Sequence, residues 1–327
     1  MKKTDVDRKG ISSIFPPALR EMANRICDLP GVEEIRIRRN CPVIVYAGGA
    51  EYWISKNGRR VFSLEEAYHC SGEDLEQMLS FLCRQSVYAY EEELRQGFVT
   101  ISGGHRVGIA GQVIREKGKV KNIRYISGMN IRIAGMVNGA ADSLLPYLYE
   151  NGVFCNTLVL SPPGCGKTTL LRDLIRQISN GNSFAPGQTV GVVDERSELS
   201  GGYLGEAFLD LGIRTDVLDR CPKSEGMMML VRSMNPSVLA VDELGGEEDV
   251  TALKTALYCG CKILATVHGN DLSDIDRKPS LRHLQEEKAF CRILRLYKKD
   301  GIFSSEIYNG EGRLMDRKRL VRRDEAQ

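Results

Sequence analysis

"SPPGCGKTTL", residues 161–170, follows the apolar run "TLVLS" (157–161) and leads into the helical pattern "TTLLRDLIRQIS". A phosphate-binding loop requires this order of strand, glycine-containing loop and helix. Gly164 and Gly166 allow the main chain to curl so that successive N–H groups point at anionic oxygens, and the helix start adds partial positive charge. Lys167 would reach the β- and γ-phosphates of a nucleotide, and Thr168 would place its hydroxyl on Mg²⁺.

The loop departs from the usual pattern G-x-x-x-x-G-K-[ST] at one position, because Ser161 stands where the first glycine is expected. A plain strand-to-helix turn with a capping threonine is the alternative interpretation. Polar partners further along the chain favour the phosphate loop. The predicted nucleotide-binding residues are Ser161, Pro162, Pro163, Gly164, Cys165, Gly166, Lys167, Thr168 and Thr169.

Three more apolar runs follow, each separated from the next by a helical pattern: "TVGVVDE" (189–195), "SVLAVDE" (237–243) and "KILATVH" (262–268). Strands without polar alternation, interleaved with helices, predict a parallel sheet covered on both faces. The stretch "RILRLYKKDGIFSSEIY" (292–308) predicts an antiparallel hairpin at the sheet edge, with its turn at residues 299–301.

Acidic pairs end two of these runs, and the carboxyl ends of parallel strands line the ligand crevice. Asp242 is predicted to hold Mg²⁺, through a water molecule, and Glu243 to polarise the attacking water. Asp194 is a further candidate metal ligand and Glu195 a further catalytic candidate. The alternative for the 194–195 pair is a salt bridge with Arg196.

The fourth run ends in Thr266 and His268. A polar side chain there can touch the γ-phosphate, so His268 is predicted to be catalytic. The alternative is a structural histidine.

The first part of the chain predicts a smaller α+β domain. Ile35 and Ile37 alternate with arginines as in a half-buried strand, Ser71 is a helix N-cap, and a hairpin turns at Gly103–Gly104. A hinge is expected near residues 138–141, followed by a helix capped by Asp142 or Ser143 with Pro146 in its first turn. The predicted domains are 1–138, 139–310 and a frayed basic tail, 311–327.

Bulk properties exclude several classes. The ten cysteines are scattered without a CxxC pair, which argues against a disulfide framework or a zinc site. No secretory signal and no run of about 18 apolar residues occurs, so a cytoplasmic protein without a transmembrane segment is expected. The formal net charge of +2 makes nucleic acid an unlikely partner, although the basic tail leaves nucleic acid or anionic lipid open.

The phosphate loop, the two acidic pairs and the run that ends at His268 follow one another in an order that resembles the secretion-type ATPases. These are the hexameric motors of type II and type IV secretion and pilus systems. The chain is still more similar to the stage III sporulation protein AA family. That similarity rests on "SPPGCGKTTLLRDLIRQ", "DERSELSG", "DRCPKSEGMMMLVRSMNPSVLAVDELGG", "ATVHG", "RIRRNCPVIV" and "GFVTISGGHRVGIAGQ". One departure from many secretion ATPases is Asp242–Glu243 in place of Gly-Glu.

The resemblance implies a RecA-like P-loop NTPase core preceded by a smaller α+β domain, with ATP and Mg²⁺ as cofactors. It also implies a homohexamer with each ATP at a subunit junction. The protein would lie in the mother cell, peripheral at the membrane facing the forespore. There it would energise a channel complex built by membrane proteins, the other stage III A-operon products.

Such motors often complete their site with arginines from the N-terminal domain or the next subunit. The candidates are Arg106, Arg115, Arg124, Arg132, Arg196, Arg214, Arg220 and Arg232. Arg124 and Arg132 are preferred as catalytic residues because "NIRYISGMNIR" (122–132) leads directly into the hinge.

The expected function is therefore an ATP-hydrolysing motor. Two alternatives stay open at this point: a nucleic-acid-dependent ATPase that uses the basic tail, and a nucleotide switch that does not depend on hydrolysis. Glu243 argues against the switch, since a switch does not need a placed base.

Overall fold

The computed structural model describes residues 8–83, 90, 94–95, 97–116, 119–135, 137–202 and 207–320. Contacts between Cα atoms group the chain into two units. The first comprises Met1–Gly135 and Gly201–Leu209, and the second comprises Met136–Ser200 and Asp210–Gln327. Residues 201–209 therefore belong to the first unit, although the residues before and after them in sequence belong to the second. The domain boundaries at 138/139 and 310/311 stay predictions.

The first unit combines three helices and a short 3₁₀ turn with a seven-stranded sheet, counted over the described residues. Its helices are α1 (Arg8–Ser13), α2 (Arg20–Cys27) and α3 (Gly72–Leu82), and the 3₁₀ turn is Pro17–Leu19. Its strands are β1 (Val32–Arg38), β2 (Ile44–Ala47), β3 (Ala50–Ile54), β4 (Arg60–Val61), β5 (Phe98–Ile101), β6 (His105–Glu116) and β7 (Lys119–Arg132). The strand order is β4-β3-β2-β1-β7-β6-β5, and every pairing is antiparallel.

The period-two pattern of β1 explains how this sheet packs. Ile35 and Ile37 are buried in the same apolar cluster as Met22 of α2 and Leu75 of α3, whereas Arg36 faces away from it. The predicted N-cap is confirmed, since Ser71 Oγ accepts a hydrogen bond from the third helical amide at 3.1 Å.

The second unit contains six helices and twelve strands among the described residues. The helices are α4 (Leu145–Leu148), α5 (Lys167–Asn180), α6 (Lys223–Ser233), α7 (Glu247–Tyr258), α8 (Ser273–Asp276) and α9 (Pro279–Glu286). The strands are β8 (Tyr149–Glu150), β9 (Val153–Phe154), β10 (Thr157–Ser161), β11 (Gly181–Asn182), β12 (Ala185–Pro186), β13 (Val190–Asp194), β14 (Thr215–Asp219), β15 (Val238–Val241), β16 (Lys262–His268), β17 (Arg292–Lys299), β18 (Ile302–Asn309) and β19 (Leu314–Arg319).

Eight of these strands form one sheet in the order β14-β13-β15-β16-β10-β17-β18-β19. The pairings from β14 to β17 are parallel, and β18 and β19 add to the edge antiparallel. Val159 of β10 packs in one apolar cluster with Leu174 of α5. Its neighbour Leu158 packs in the other cluster with Leu253 of α7. Both sheet faces are therefore covered by helices, as predicted.

Two local predictions were wrong. The helix predicted to be capped by Asp142 or Ser143 is α4, which is one turn long and begins after Leu144. Residues 139–144 form turns instead, and the Asp142 carboxylate accepts a hydrogen bond from Gln177 Nε2 at 2.8 Å. Pro146 does lie in the first turn. The tail was expected to be frayed, yet its residues 314–319 form β19, paired with β18. Residues 321–327 lie outside the described part of the chain.

Candidate functional site

The main chain curls between the end of β10 and the start of α5. Gly164 (φ 74°) and Gly166 (φ 84°) adopt the left-handed conformation that glycine enters without steric cost. A Cβ at either position would meet nothing within 4 Å, so these glycines serve the backbone conformation and leave open space beside it. Gly166 is the N-cap residue of α5, and its carbonyl accepts a hydrogen bond from Leu170 N at 2.9 Å.

Lys167, the first residue of α5, lies against Asp242. The Lys167 side chain is only 9% exposed, and its Nζ lies 3.4 Å from Asp242 Oδ1. The same carboxylate oxygen accepts a hydrogen bond from Thr266 Oγ1 at 2.5 Å. Thr266 is fully buried on β16, which lies between β10 and β15 in the sheet. The hydroxyl on the middle strand therefore fixes the carboxylate that faces the lysine.

Glu243 adopts φ 59°, which is uncommon for a residue with a Cβ and is often found at functional sites. Its amide donates to Thr266 Oγ1 at 2.8 Å. Its Oε1 lies 3.2 Å from His268 Nε2, and its Oε2 lies 3.3 Å from Arg196 Nη1. Both oxygens of this carboxylate thus face nitrogen donors.

His268 connects Glu243 to the beginning of the loop. Its Nδ1 lies 3.3 Å from the Ser161 carbonyl oxygen, and Ser161 and His268 are register partners in β10 and β16. The ring nitrogens therefore face two acceptors, one on the loop and one on Glu243.

These groups line one cleft of about 310 Å³ in the second unit. Its lining residues are Pro162, Pro163, Gly164, Gly166, Lys167, Thr168, Thr169, Arg196, Glu198, Asp242, Glu243 and His268. Two predicted loop residues are not among them. Ser161 is fully buried and its hydroxyl donates to the Pro162 carbonyl at 2.9 Å, and Cys165 packs in an apolar cluster.

Asp194 holds the loop that follows β13, and the metal role predicted for it stays a prediction. Its carboxylate is 2% exposed and accepts hydrogen bonds from the amides of Glu198 (2.8 Å), Leu199 (3.0 Å) and Ser200 (2.8 Å). Ser200 Oγ donates a fourth, at 2.8 Å. Because these four donors occupy both oxygens, the carboxylate organises the loop and does not line the cleft.

Glu195 also lies outside the cleft lining. It forms an ion pair with Lys223 of α6, whereas Arg196 pairs with Glu243. The salt bridge between the 194–195 pair and Arg196, our alternative interpretation, is thus replaced by two different pairs. The catalytic role predicted for Glu195 has no contact with the cleft to support it.

The neighbouring strand contributes a further carboxylate to this loop. Ser197, which has φ 54°, donates through Oγ to Asp219 Oδ1 at 2.5 Å. Burial raises the pKa of Asp219, the Ser197 hydrogen bond opposes that shift, and the charge of Asp194 adds to it. Loop 194–200 is thus anchored to β14 as well as to β13.

The two preferred arginines lie in the first unit, on β7. Arg124 is opposite Gln112 of β6, and Arg132 is 68% exposed with its Nε 4.0 Å from Glu34 Oε2. Their catalytic role stays a prediction.

Three residues near the cleft make contacts that the sequence does not predict. The sequence indicates Arg196 only as a trans-acting candidate or a partner of the acidic pair, and Thr266 only as a phosphate contact. It gives no role to Glu198. Arg196 and Glu198 line the cleft. Thr266 Oγ1 binds the Asp242 carboxylate and the main-chain amide of Glu243. Their alternation within "DERSELS" (194–200) is the one signal that could have identified the first two.

The residues in the cleft fit Mg²⁺ but would not enclose it. Thr168 and Asp242 offer a hydroxyl and a carboxylate, and hard cations prefer such oxygen ligands. Among the described residues no group of three His, Cys, Asp or Glu side chains could hold a metal ion. Mg²⁺ typically takes one or two protein ligands and completes its shell with phosphate and water, which suits this site.

Solved structures of two ATPases share the fold of this chain. The structure of the Legionella pneumophila ATPase DotB matches with a TM-score of 0.56 at 13% identity, over 89% of this chain and 80% of that one. The pilus retraction motor PilT with bound ADP matches with a TM-score of 0.56 at 15% identity, over 85% of this chain and 79% of that one. The chain therefore has the RecA-like fold of these ATPases, preceded by a smaller α+β domain, as predicted.

The family is narrower than the fold. The pattern of the family described as "Sporulation stage III, protein AA" matches residues 6–315. "Stage III sporulation protein AA" of Bacillus subtilis (strain 168) is 44% identical over 313 residues, which are 94% of this chain and 97% of that protein. The chain belongs to the stage III sporulation protein AA family. No helix in the described ranges combines the length and apolar character needed to cross a membrane.

Proposed function

We propose that this protein hydrolyses ATP in the cleft at Lys167 and uses the energy to drive a membrane channel complex during sporulation. One observation carries the proposal. A curled loop, a buried lysine and two consecutive carboxylates converge on one cleft at the carboxyl ends of β10 and β15. That arrangement supports binding of a polyphosphate beside a base, and the fold and family support ATP and sporulation as the setting.

Each residue has a separate task in this mechanism. The amides of the loop and the start of α5 bind phosphate oxygens, and Lys167 neutralises their charge. A lysine drawn to phosphate leaves Asp242, whose carboxylate stays oriented by Thr266. Mg²⁺, held by Thr168 and Asp242, would neutralise charge that develops on the phosphates. Glu243 orients a water molecule and accepts its proton.

The assembly belongs to the same proposal. We expect a homohexamer with ATP at subunit junctions, where Arg124 and Arg132 would act on a nucleotide bound by another subunit. The protein would work in the mother cell, at the membrane facing the forespore, with the membrane proteins of the stage III A operon as partners. A non-motor switch is less well supported, because Glu243 lines the same cleft as the loop and could act there as a base.

Phosphate release from ATP by the purified full-length protein tests the enzymatic part. We expect turnover that requires Mg²⁺, is lost in Lys167→Ala, and falls at least about 100-fold in Glu243→Gln. Lys254→Ala and Glu247→Gln make the same chemical changes outside the cleft and should keep the parental rate. Parental rates in both cleft variants would refute the assigned roles.

The motor role needs a separate measurement. Turnover should rise when the protein is mixed with vesicles carrying the membrane proteins of the same operon, and empty vesicles serve as the control. Turnover that is identical with both vesicle preparations, together with no retention of the protein on either, would contradict the proposed partners.

A further inference from the structure

We infer that Arg196 binds the terminal phosphate of the nucleotide from within the same chain, and that it thereby discriminates a nucleoside triphosphate from a diphosphate. The inference rests on the proposed function, since it assigns a role within the same cleft. It differs from a trans-acting arginine, because Arg196 already lies beside the Glu243 carboxylate of its own chain.

Loop 194–200 is built to present this arginine. Asp194, two residues before it, accepts hydrogen bonds from the amides of residues 198–200. Glu195 is paired with Lys223, and Ser197 is bonded to Asp219. The residues on either side of Arg196 are therefore tied to the unit's framework, whereas the arginine itself extends into the cleft.

The contact between Arg196 and Glu243 is easily exchanged. The Arg196 side chain is 61% exposed and the Nη1–Oε2 distance is 3.3 Å, and exposed ion pairs of this kind contribute little to stability. A guanidinium offers five donors in a planar fork that matches phosphate oxygens, and charge-assisted bonds to phosphate are strong. A phosphate within reach would therefore compete well with the carboxylate.

The cleft contains a second pair of a cation and a carboxylate, Lys167 and Asp242. Lys167 faces Asp242 and Arg196 faces Glu243, so each cation of the cleft holds one member of the carboxylate pair. The lysine stands at the helix start, where the inner phosphates of either nucleotide would bind. Arg196 is paired instead with Glu243, the next residue after Asp242, and in the inferred complex only a triphosphate supplies an oxygen there. Binding of that phosphate would take the arginine from Glu243 and leave its carboxylate free to accept a proton.

Nucleotide affinity tests this assignment without relying on turnover. Titration calorimetry with Mg²⁺ would compare ADP with AMPPNP, the non-hydrolysable ATP analogue, on the full-length protein. We expect Arg196→Ala to bind AMPPNP about 10- to 100-fold more weakly, and ADP within about threefold of the parent. Arg196→Lys keeps the charge without the fork, so its AMPPNP affinity should be intermediate.

Arg277→Ala is the matched control, because Arg277 is 76% exposed, pairs with Asp274 and lies outside the cleft lining. Equal changes in ADP and AMPPNP affinity, or no change in either, would overturn the inference and leave the proposed function intact. A parent protein that binds neither nucleotide would overturn both. If Arg196→Ala does not fold, Arg196→Lys decides alone, and parental AMPPNP affinity in that variant would refute the role of the fork.

Discussion

Replacing Asp194 with asparagine tests whether this carboxylate is a structural anchor. Its Oδ2 accepts hydrogen bonds from Leu199 N, Ser200 N and Ser200 Oγ, and its Oδ1 accepts one from Glu198 N. In Asp194→Asn one amide oxygen can still face the three donors. The amide nitrogen then faces the N–H of Glu198, and the negative charge that strengthened every bond is lost.

The expected cost follows from these four bonds. The unsatisfied N–H of half-buried Glu198 costs about 1–3 kcal/mol, and loss of charge assistance removes about 1 kcal/mol from each of the three remaining bonds. We therefore expect the free energy of unfolding to fall by about 4–6 kcal/mol, a large part of the stability of about 5–15 kcal/mol typical of a domain.

Urea unfolding monitored by circular dichroism measures this loss, and hydrogen exchange of the amides at 198–200 localises it. Glu195→Gln is the matched control, since it removes an adjacent charge from a half-exposed ion pair with Lys223 and should cost no more than about 1 kcal/mol. If Asp194→Asn unfolds at the same urea concentration as the control, with unchanged protection at 198–200, the anchoring role is refuted.

Two other sites give further predictions. Thr266→Val should destabilise the protein by about 1–3 kcal/mol and lower kcat with nucleotide affinity kept, because the Asp242 carboxylate loses a donor and the Glu243 amide loses its acceptor. Thr266→Ser should restore both stability and kcat, measured by urea unfolding and by phosphate release. Although burial opposes it, hydrogen bonds from a tyrosine and two arginines lower the pKa of Glu306 below its ordinary value of 4.5. Its stabilisation should therefore be present above that pH and disappear on acidification, so urea midpoints between about pH 3 and pH 6 should vary less in Glu306→Gln than in the parent.

The parallel sheet could be predicted because its strands are buried on both faces. Val159 and Leu158 are both apolar although they point to opposite sides, and that continuous pattern distinguishes such strands from the alternating β1 of the first unit. The curled loop could also be predicted from the sequence, because glycines at 164 and 166 before a lysine are typical of one backbone conformation.

The different tasks of Asp194 and Asp242 could not be predicted. Both residues lie at the carboxyl ends of adjacent parallel strands, so their local sequences indicate the same role. The difference comes from the partners of each carboxylate. Ser197 has a positive φ, so the chain turns back and the amides of residues 198–200 donate to Asp194. Asp242 instead contacts Lys167 and Thr266, which lie on other elements. Such partners depend on tertiary structure.

The edge strand β19 was missed for a similar reason. Its many arginines and lysines are typical of a solvated tail, and no single residue in it marks a strand. The partners that retain it come from distant positions: Asp316 pairs with Tyr147, and Arg317 binds Glu306 at 3.0 Å. Both partners lie outside β19, so the charged residues of the tail alone do not reveal them.

A crystal structure of Glu243→Gln with ATP and Mg²⁺ would show whether the cleft at Lys167 binds the nucleotide, because this variant should bind ATP without cleaving it. We expect the triphosphate on the main-chain curl of residues 162–167, with its inner phosphates at Lys167 and its terminal phosphate between residue 243 and Arg196. A nucleotide bound elsewhere on the chain, or one whose phosphates lie away from Lys167, would contradict it.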